Sequence, residues 1–275
     1  MKHLICTLAL LLLGSAGLCA HGHHQAPLKS PAVDALKQGD FQRAARLLPG
    51  EIKSNPDEAR LKKIYAALKT QLRREKLFAE EKDPGMIVLV GSEMRKFYTA
   101  WGLYDRAAAV GAKIYAASPS LQNGVSWGVS LLNADKNTEA AAVFGKLDLS
   151  KADPGPSLCG ALAFARVGKK DESRKILDRF DTGKLSLNFL GLYARSAALN
   201  GDNDKAAELA AKILEKSPAK QHPNLKKHLF GSADFKSVAG NEKFKAALKT
   251  ASKVEDECAG CPNHGTDKCD HKHGH

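Results

Sequence analysis

Between His24 and His222 this chain of 275 residues has no histidine at all, and it has one cysteine there, Cys159. Aromatic residues make up only 6% of the sequence. No Gly-rich phosphate loop follows a strand-like run, no serine sits in a nucleophile elbow, and no segment reads as strand-rich. Asp105, Asp171 and Glu172 fall at turns, as solvated turn and first-turn carboxylates do, with no partner spaced for acid/base work. These absences remove the usual bases and nucleophiles, so the body of the chain is not expected to be an enzyme, and nothing in it calls for an organic cofactor. Cys159 lies in an apolar helical stretch, where a lone cysteine is expected to serve as packing.

Long apolar runs are missing too. The only one, Leu4 to Leu13 in MKHLICTLALLLLGSAGLCA, is too short to span a bilayer. It follows a charged start (Lys2, His3) and precedes small residues, as in a secretory leader, with cleavage after Ala20 or after Gly17. Leu18 before Cys19 argues against a lipid anchor. Residues 1–20 thus read as a signal peptide and 21–30 as a His-rich segment. The mature chain is expected to be exported, periplasmic or secreted, with no membrane span, in a compartment that permits disulfides. The formal net charge of +12 draws acidic partners or simply solvates lysine-rich faces. Export removes nucleic acid from consideration.

What the chain does have is a period. Four segments align on a small residue after a turn: GLYDRA at Ala107, DKNTEA at Ala140, GKKDES at Ser173 and GDNDKA at Ala206, each 33 residues after the last. Seven residues beyond each anchor stands a large apolar residue (Ile114, Leu147, Phe180, Ile213). Twelve before the last three stand Gly128, Ala161 and Ala194. Apolar residues recur at three- and four-residue spacing on both sides of each turn, which describes a helical hairpin repeated in tandem. Small residues let the two helices approach, and large ones fill the space between hairpins. One hairpin cannot bury its own apolar face, so stacking is required. Pro119 and Pro218, twelve residues after Ala107 and Ala206, end second helices.

Gly102, Tyr104, Ala107 and Pro119 in one unit, Phe164, Gly168 and Ser173 in another, and Gly201, Ala206 and Pro218 in a third resemble the tetratricopeptide repeat family. An earlier unit, GDFQRA, carries Gly39, Phe41, Ala44 and Pro56. Departures are Arg95 at a small-residue position, Pro49-Gly50 interrupting the second helix of the first unit, and residues 57–83, which read as a degenerate unit. The expected fold is an all-α, right-handed solenoid over residues 31–218, closed by capping helices in 219–252 and followed by a tail, 253–275. The resemblance implies a concave groove lined from the first helices by Ser92, Lys96 and Thr99, by Gln122, Val125, Val129 and Asn133, by Leu158, Leu162 and Arg166, and by Asn188, Arg195 and Leu199. Such a groove would hold a protein or peptide. Lys96, Arg166 and Arg195 would favour acidic groups in it, or serve as ordinary surface charges.

The scarce ligands are gathered at the two ends. The last eighteen residues, CAGCPNHGTDKCDHKHGH, hold three cysteines and four histidines. Cys258 and Cys261 form a C-x2-C turn, and Cys269 with His271 closes a Cys₃His set suited to Zn²⁺ or Cu(I), with His264, His273 and His275 as further ligands. Other readings stay open: a Cys258–Cys261 disulfide, a low-complexity metal-sticking tail, or thiol redox chemistry. Pro262 after the second cysteine excludes a c-type haem motif. At the front, cleavage after Ala20 would give an amino terminus at His21 which, with two amides and His23, suits square-planar Cu(II) or Ni(II). The expectation is therefore a protein-binding repeat scaffold with metal-binding ends. The alternative is a metal chaperone or buffer whose repeats only present the tail.

Overall fold

The computed structural model of the chain describes residues 28–254. Residues 1–20, expected to be a signal peptide, as well as His21, His23 and the Cys/His tail, lie outside the described residues. Every regular element described is helical, and no strand occurs among the described residues. In order they are α1 (Pro31–Lys37), α2 (Phe41–Ser54), α3 (Ala59–Glu80), α4 (Pro84–Ala100), α5 (Tyr104–Ala117), α6 (Leu121–Asn133), α7 (Asn137–Phe144), α8 (Pro154–Arg166), α9 (Lys170–Leu177), α10 (Leu187–Asn200) and α11 (Asn203–Glu215). Short 3₁₀, α and π turns then run through 219–235, and α12 (Glu242–Ala247) follows. No described helix is long and apolar enough to cross a membrane.

The 33-residue period is a period of helix starts. Second helices begin at Tyr104, Asn137, Lys170 and Asn203, and first helices at Leu121, Pro154 and Leu187. One residue per turn repeats with them in the left-handed region: Gly102 (φ 72°), Asp135 (55°), Gly168 (77°) and Gly201 (82°). That conformation closes each first helix with an amide-to-carbonyl bond spanning five residues, from Leu103 to Tyr98 (2.8 Å) and, at 2.9 Å, from Lys136 to Leu131, Lys169 to Phe164 and Asp202 to Ala197. The bond gives each of these carbonyls a second donor beside the amide three or four residues on, and glycine enters the left-handed region without a Cβ penalty. Asp135 carries the same geometry with a short polar side chain that tolerates it.

Close approach explains another recurring position. A Cβ on Gly128 would lie 2.6 Å from the Phe144 ring, and one on Gly124 the same distance from Leu147. Ala161 and Ala194 are fully buried at the equivalent place. Ile114 and Ile213 are buried within α5 and α11. Leu147 and Phe180 pack on the core from turns, because α7 and α9 stop after eight residues each.

Two readings of the N-terminal part are corrected. Pro49-Gly50 does not interrupt α2, which runs through both residues. Pro49 is exposed, so the Ala45 carbonyl deprived of its amide partner lies on the side water reaches, while Phe41, Ala44 and Leu48 hold the other face in the core. Residues 57–83 are not a degenerate hairpin. They form one uninterrupted helix of 22 residues, α3, because no Gly or Asn stands where a turn would need the left-handed region.

Two apolar cores meet at α5. One gathers Leu36, Leu48, Leu68, Tyr98 and Ile114, and the other runs from Val125 through Phe144, Leu162 and Leu190 to Phe235 and Phe244. The segment after α11 belongs to this second core. Phe230, Phe235 and Phe244 form a buried aromatic cluster with centroids 5.4 to 6.1 Å apart.

Candidate functional site

Of the cations expected to line a groove, Arg166 and Arg195 come together and Lys96 does not join them. Arg166 ends α8 and Arg195 sits in the middle of α10, so both reach the same face of two adjacent first helices. Between them stands Asp234, from the 3₁₀ turn Ala233–Phe235. Arg166 Nε donates to Asp234 Oδ1 (3.0 Å) and Arg166 Nη2 to Oδ2 (3.1 Å). Arg195 Nε donates to Oδ2 at 2.5 Å. Arg166 Nη1 also donates to the Leu132 carbonyl and Asn137 Oδ1, both 3.1 Å away, and approaches Asp135 at 3.8 Å. One arginine thus joins the α6–α7 turn, α8 and the C-terminal cap.

The three charged side chains are only 13%, 11% and 7% exposed for Arg166, Arg195 and Asp234. Burial by itself would raise the Asp234 pKa, but the Arg166 hydrogen bonds and the charges of Arg195 and Arg166 hold the carboxyl below its usual range. Burial lowers the Arg195 pKa from the ordinary guanidinium value, against the pull of Asp234. The acid that these arginines meet is therefore the chain's own. Asp234 is the only acidic residue between Glu215 and Glu242, in a stretch with five lysines. That isolation is the sequence signal that pointed to it, and it went unread because its partners lie 68 and 39 residues away.

The remaining expected lining divides in two. Val125, Val129, Leu158 and Leu162 are core residues, closed off from solvent. Leu199, Asn133 and Asn188 are partly buried. Ser92 and Thr99 on α4 are partly buried likewise, and Lys96 on α4 and Gln122 at the start of α6 are exposed. Lys96 Nζ donates to Glu93 at 2.7 Å, and Glu93 also faces Arg74 of α3 at 3.6 Å. Arg95, whose pKa burial lowers, is half-buried on the same helix.

Cys159 is fully buried, and burial pushes its thiol pKa up to about 12, so it is held as a neutral packing group. Asp105, at the start of α5, pairs with Lys136 at 2.9 Å across neighbouring turns. Among the described residues no group of three or more His, Cys, Asp or Glu side chains could hold a metal ion. The proposed metal ligands Cys258, Cys261, His264, Cys269, His271, His273 and His275, like His21 and His23, lie outside the described residues.

Comparison with protein-family models, with curated proteins and with solved structures returned no match. The functional reading therefore rests on the chain's own geometry.

Proposed function

We propose that the protein is an exported, protein-binding scaffold whose tetratricopeptide-like hairpins stack as a right-handed solenoid. The observation that carries this reading is the recurrence, every 33 residues, of a hairpin with the same left-handed turn residue (Gly102, Asp135, Gly168, Gly201). An array of this kind presents successive first helices as one extended surface. The exposed expected positions on that surface are Lys96 on α4 and Gln122 at the start of α6, with Ser92 and Thr99 partly buried on α4. Towards the C-terminus Asp234 and the cap already engage Arg166 and Arg195. Capture of partners by chemical cross-linking in the exporting cell tests it. Substituting Lys96, Thr99 and Gln122 by Ala should abolish specific cross-links, while a chain ending at Glu257 should keep them.

A second reading is favoured by the three cysteines and four histidines of the last eighteen residues, which suit Zn²⁺ or Cu(I). In it the repeats only present a metal-handling tail. Metal content of the protein, purified without a His-affinity step, separates the two. One tightly held ion per chain, lost on truncation after Glu257, supports metal handling. No retained ion, with Cys258 and Cys261 oxidised, removes it.

A further inference from the structure

The helix that breaks the pairing pattern, α3, carries a surface the rest of the array does not use. It lies between the α1–α2 and α4–α5 hairpins, and only Leu61, Leu68, Gln71 and Phe78 along it are buried. Lys62, Lys69, Arg73 and Lys76 are all exposed. At 100° per residue they fall within about 60° of arc, along about 21 Å of helix. Ion pairs on α3 go to inward or terminal cations. Arg74 faces Glu93 at 3.6 Å, and Arg60 pairs with Glu58 at 2.6 Å. None of the four outward cations has an ion-pair partner among the described residues. Lys69 alone has another contact, over the Tyr65 ring at 5.3 Å to the centroid.

Beyond the stripe the surface turns apolar. Leu77 in the last turn of α3 is 58% exposed, and Met86 and Leu89 in the first turns of α4 are 41% and 62% exposed. These three are most of the large exposed hydrophobic residues among the described ones, and all stand at the α3–α4 corner. Glu80, Glu81 and Asp83 lie in the same corner with Lys82, and Lys113 of α5 reaches it by donating to the Phe78 carbonyl. Beyond the cationic stripe, then, Glu80, Glu81 and Asp83 stand between Leu77 and the Met86–Leu89 pair, so acidic and apolar groups alternate.

We infer that α3 and the α3–α4 corner form a docking rib for an acidic, amphipathic helical segment of another protein. Carboxylates of that segment meet Lys62, Lys69, Arg73 and Lys76, and its apolar residues cover Leu77 and Leu89. An anionic lipid surface satisfies the cations, but it would bring negative headgroups against Glu80, Glu81 and Asp83 at the place where apolar side chains would enter. A polypeptide can match the change of sign residue by residue. On α4 this surface adjoins the groove-side residues, since Leu89 and Lys96 lie two turns apart on one helix face, and the cations of α3 are what set it apart.

The test uses the full chain and a synthetic helical peptide with glutamates on one face at seven-, four- and three-residue intervals followed by leucines, made in both chain directions, with a glutamine counterpart. The glutamate peptide should bind and the glutamine peptide should not, and binding should weaken with salt. Each exposed pair contributes about two- to fivefold at best. Replacing Lys62, Lys69, Arg73 and Lys76 by Gln should therefore cost about sixteenfold at twofold a pair, and at most several hundredfold. Leu77→Ser with Leu89→Ser should weaken binding at high salt, where the charges are screened. A matched control, Lys220, Lys226 and Lys227→Gln in the equally basic cap, should leave binding unchanged. The inference is overturned if neither glutamate peptide binds, if the control loses as much as the stripe variant, or if the stripe variant binds as the parent does. It is overturned equally if the four cations instead carry the chain onto phosphatidylcholine–phosphatidylglycerol vesicles while the peptide is ignored.

Discussion

Replacing Asp234 by Ala tests whether the cap is locked by charge or merely rests on apolar contact. The substitution deletes a carboxylate that accepts from Arg166 Nε, Arg166 Nη2 and Arg195 Nε. It leaves two guanidinium groups, 13% and 11% exposed, facing one another. Removing one partner of a buried ion pair costs about 3–5 kcal/mol, most of it the penalty of a buried charge left uncompensated. Arg166 keeps its bonds to the Leu132 carbonyl and Asn137, so the lower end of that range applies. A loss of about 3 kcal/mol corresponds to about a hundredfold in the opening equilibrium. Replacing all three, with Asp234→Leu, Arg166→Met and Arg195→Met, should cost far less, because no charge is then stranded.

The assay follows from the architecture. A tandem array opens from its ends, so hydrogen exchange over 187–200 and 233–247 should register the loss more sharply than it is registered over α4 and α5. The pH dependence has a definite sign. Asp234 titrates lower in the folded chain than its ordinary carboxyl value of about 3.9. Its contribution is therefore complete above that value, and it is lost as pH falls through the folded pKa. The gap between parent and Asp234→Ala should be constant near neutrality and shrink below about pH 4. A loss under about 1 kcal/mol at neutral pH would refute the charge-lock reasoning, as would a gap unchanged in acid.

Three further outcomes follow from the fold. Gly128→Ala places a methyl 2.6 Å from Phe144, a fully buried ring with nowhere to swing, so urea unfolding should show about 1–3 kcal/mol of destabilisation, partly restored by Phe144→Leu. Gly168→Ala meets nothing within 4 Å but must hold φ at 77°, so its cost should be about 1 kcal/mol and insensitive to changes at Phe144. Cys159, buried with its thiol pushed up to about 12, should resist maleimide in the folded chain and react at the rate of local opening, and rapid native labelling would contradict its burial.

The sequence disclosed the parts of this fold that repeat. Ala107, Ala140, Ser173 and Ala206 mark the 33-residue period because every hairpin must solve the same turn and the same close approach, and Gly102, Gly168 and Gly201 mark the left-handed residue directly. Asp135 hides that role, since an aspartate in a turn is unremarkable until its φ is known. Pro49 misleads because a proline's effect depends on which side of the helix faces water, and the period cannot say that. Nor can local pattern foresee partners far apart in sequence. Arg166 and Arg195 read as groove cations, but their acid arrives 68 and 39 residues later on a cap that folds back over the first helices.

That return divides the array into two chemically different ends. Where Asp234 meets α8 and α10 and the helix of Phe244 packs on α11, the charges of Arg166 and Arg195 are spent on the chain itself. Over α3 and α4, which no such cap covers among the described residues, cations and large apolar side chains are exposed together. Exposed lysines alone signify little, because they keep helices soluble. Exposed Leu77 and Leu89 beside the cationic stripe of α3, a helix without a hairpin partner, are harder to account for by solubility. On the proposed reading a partner therefore meets the chain at its N-terminal end, while at the other end the cap is tied to α8 and α10 through Asp234.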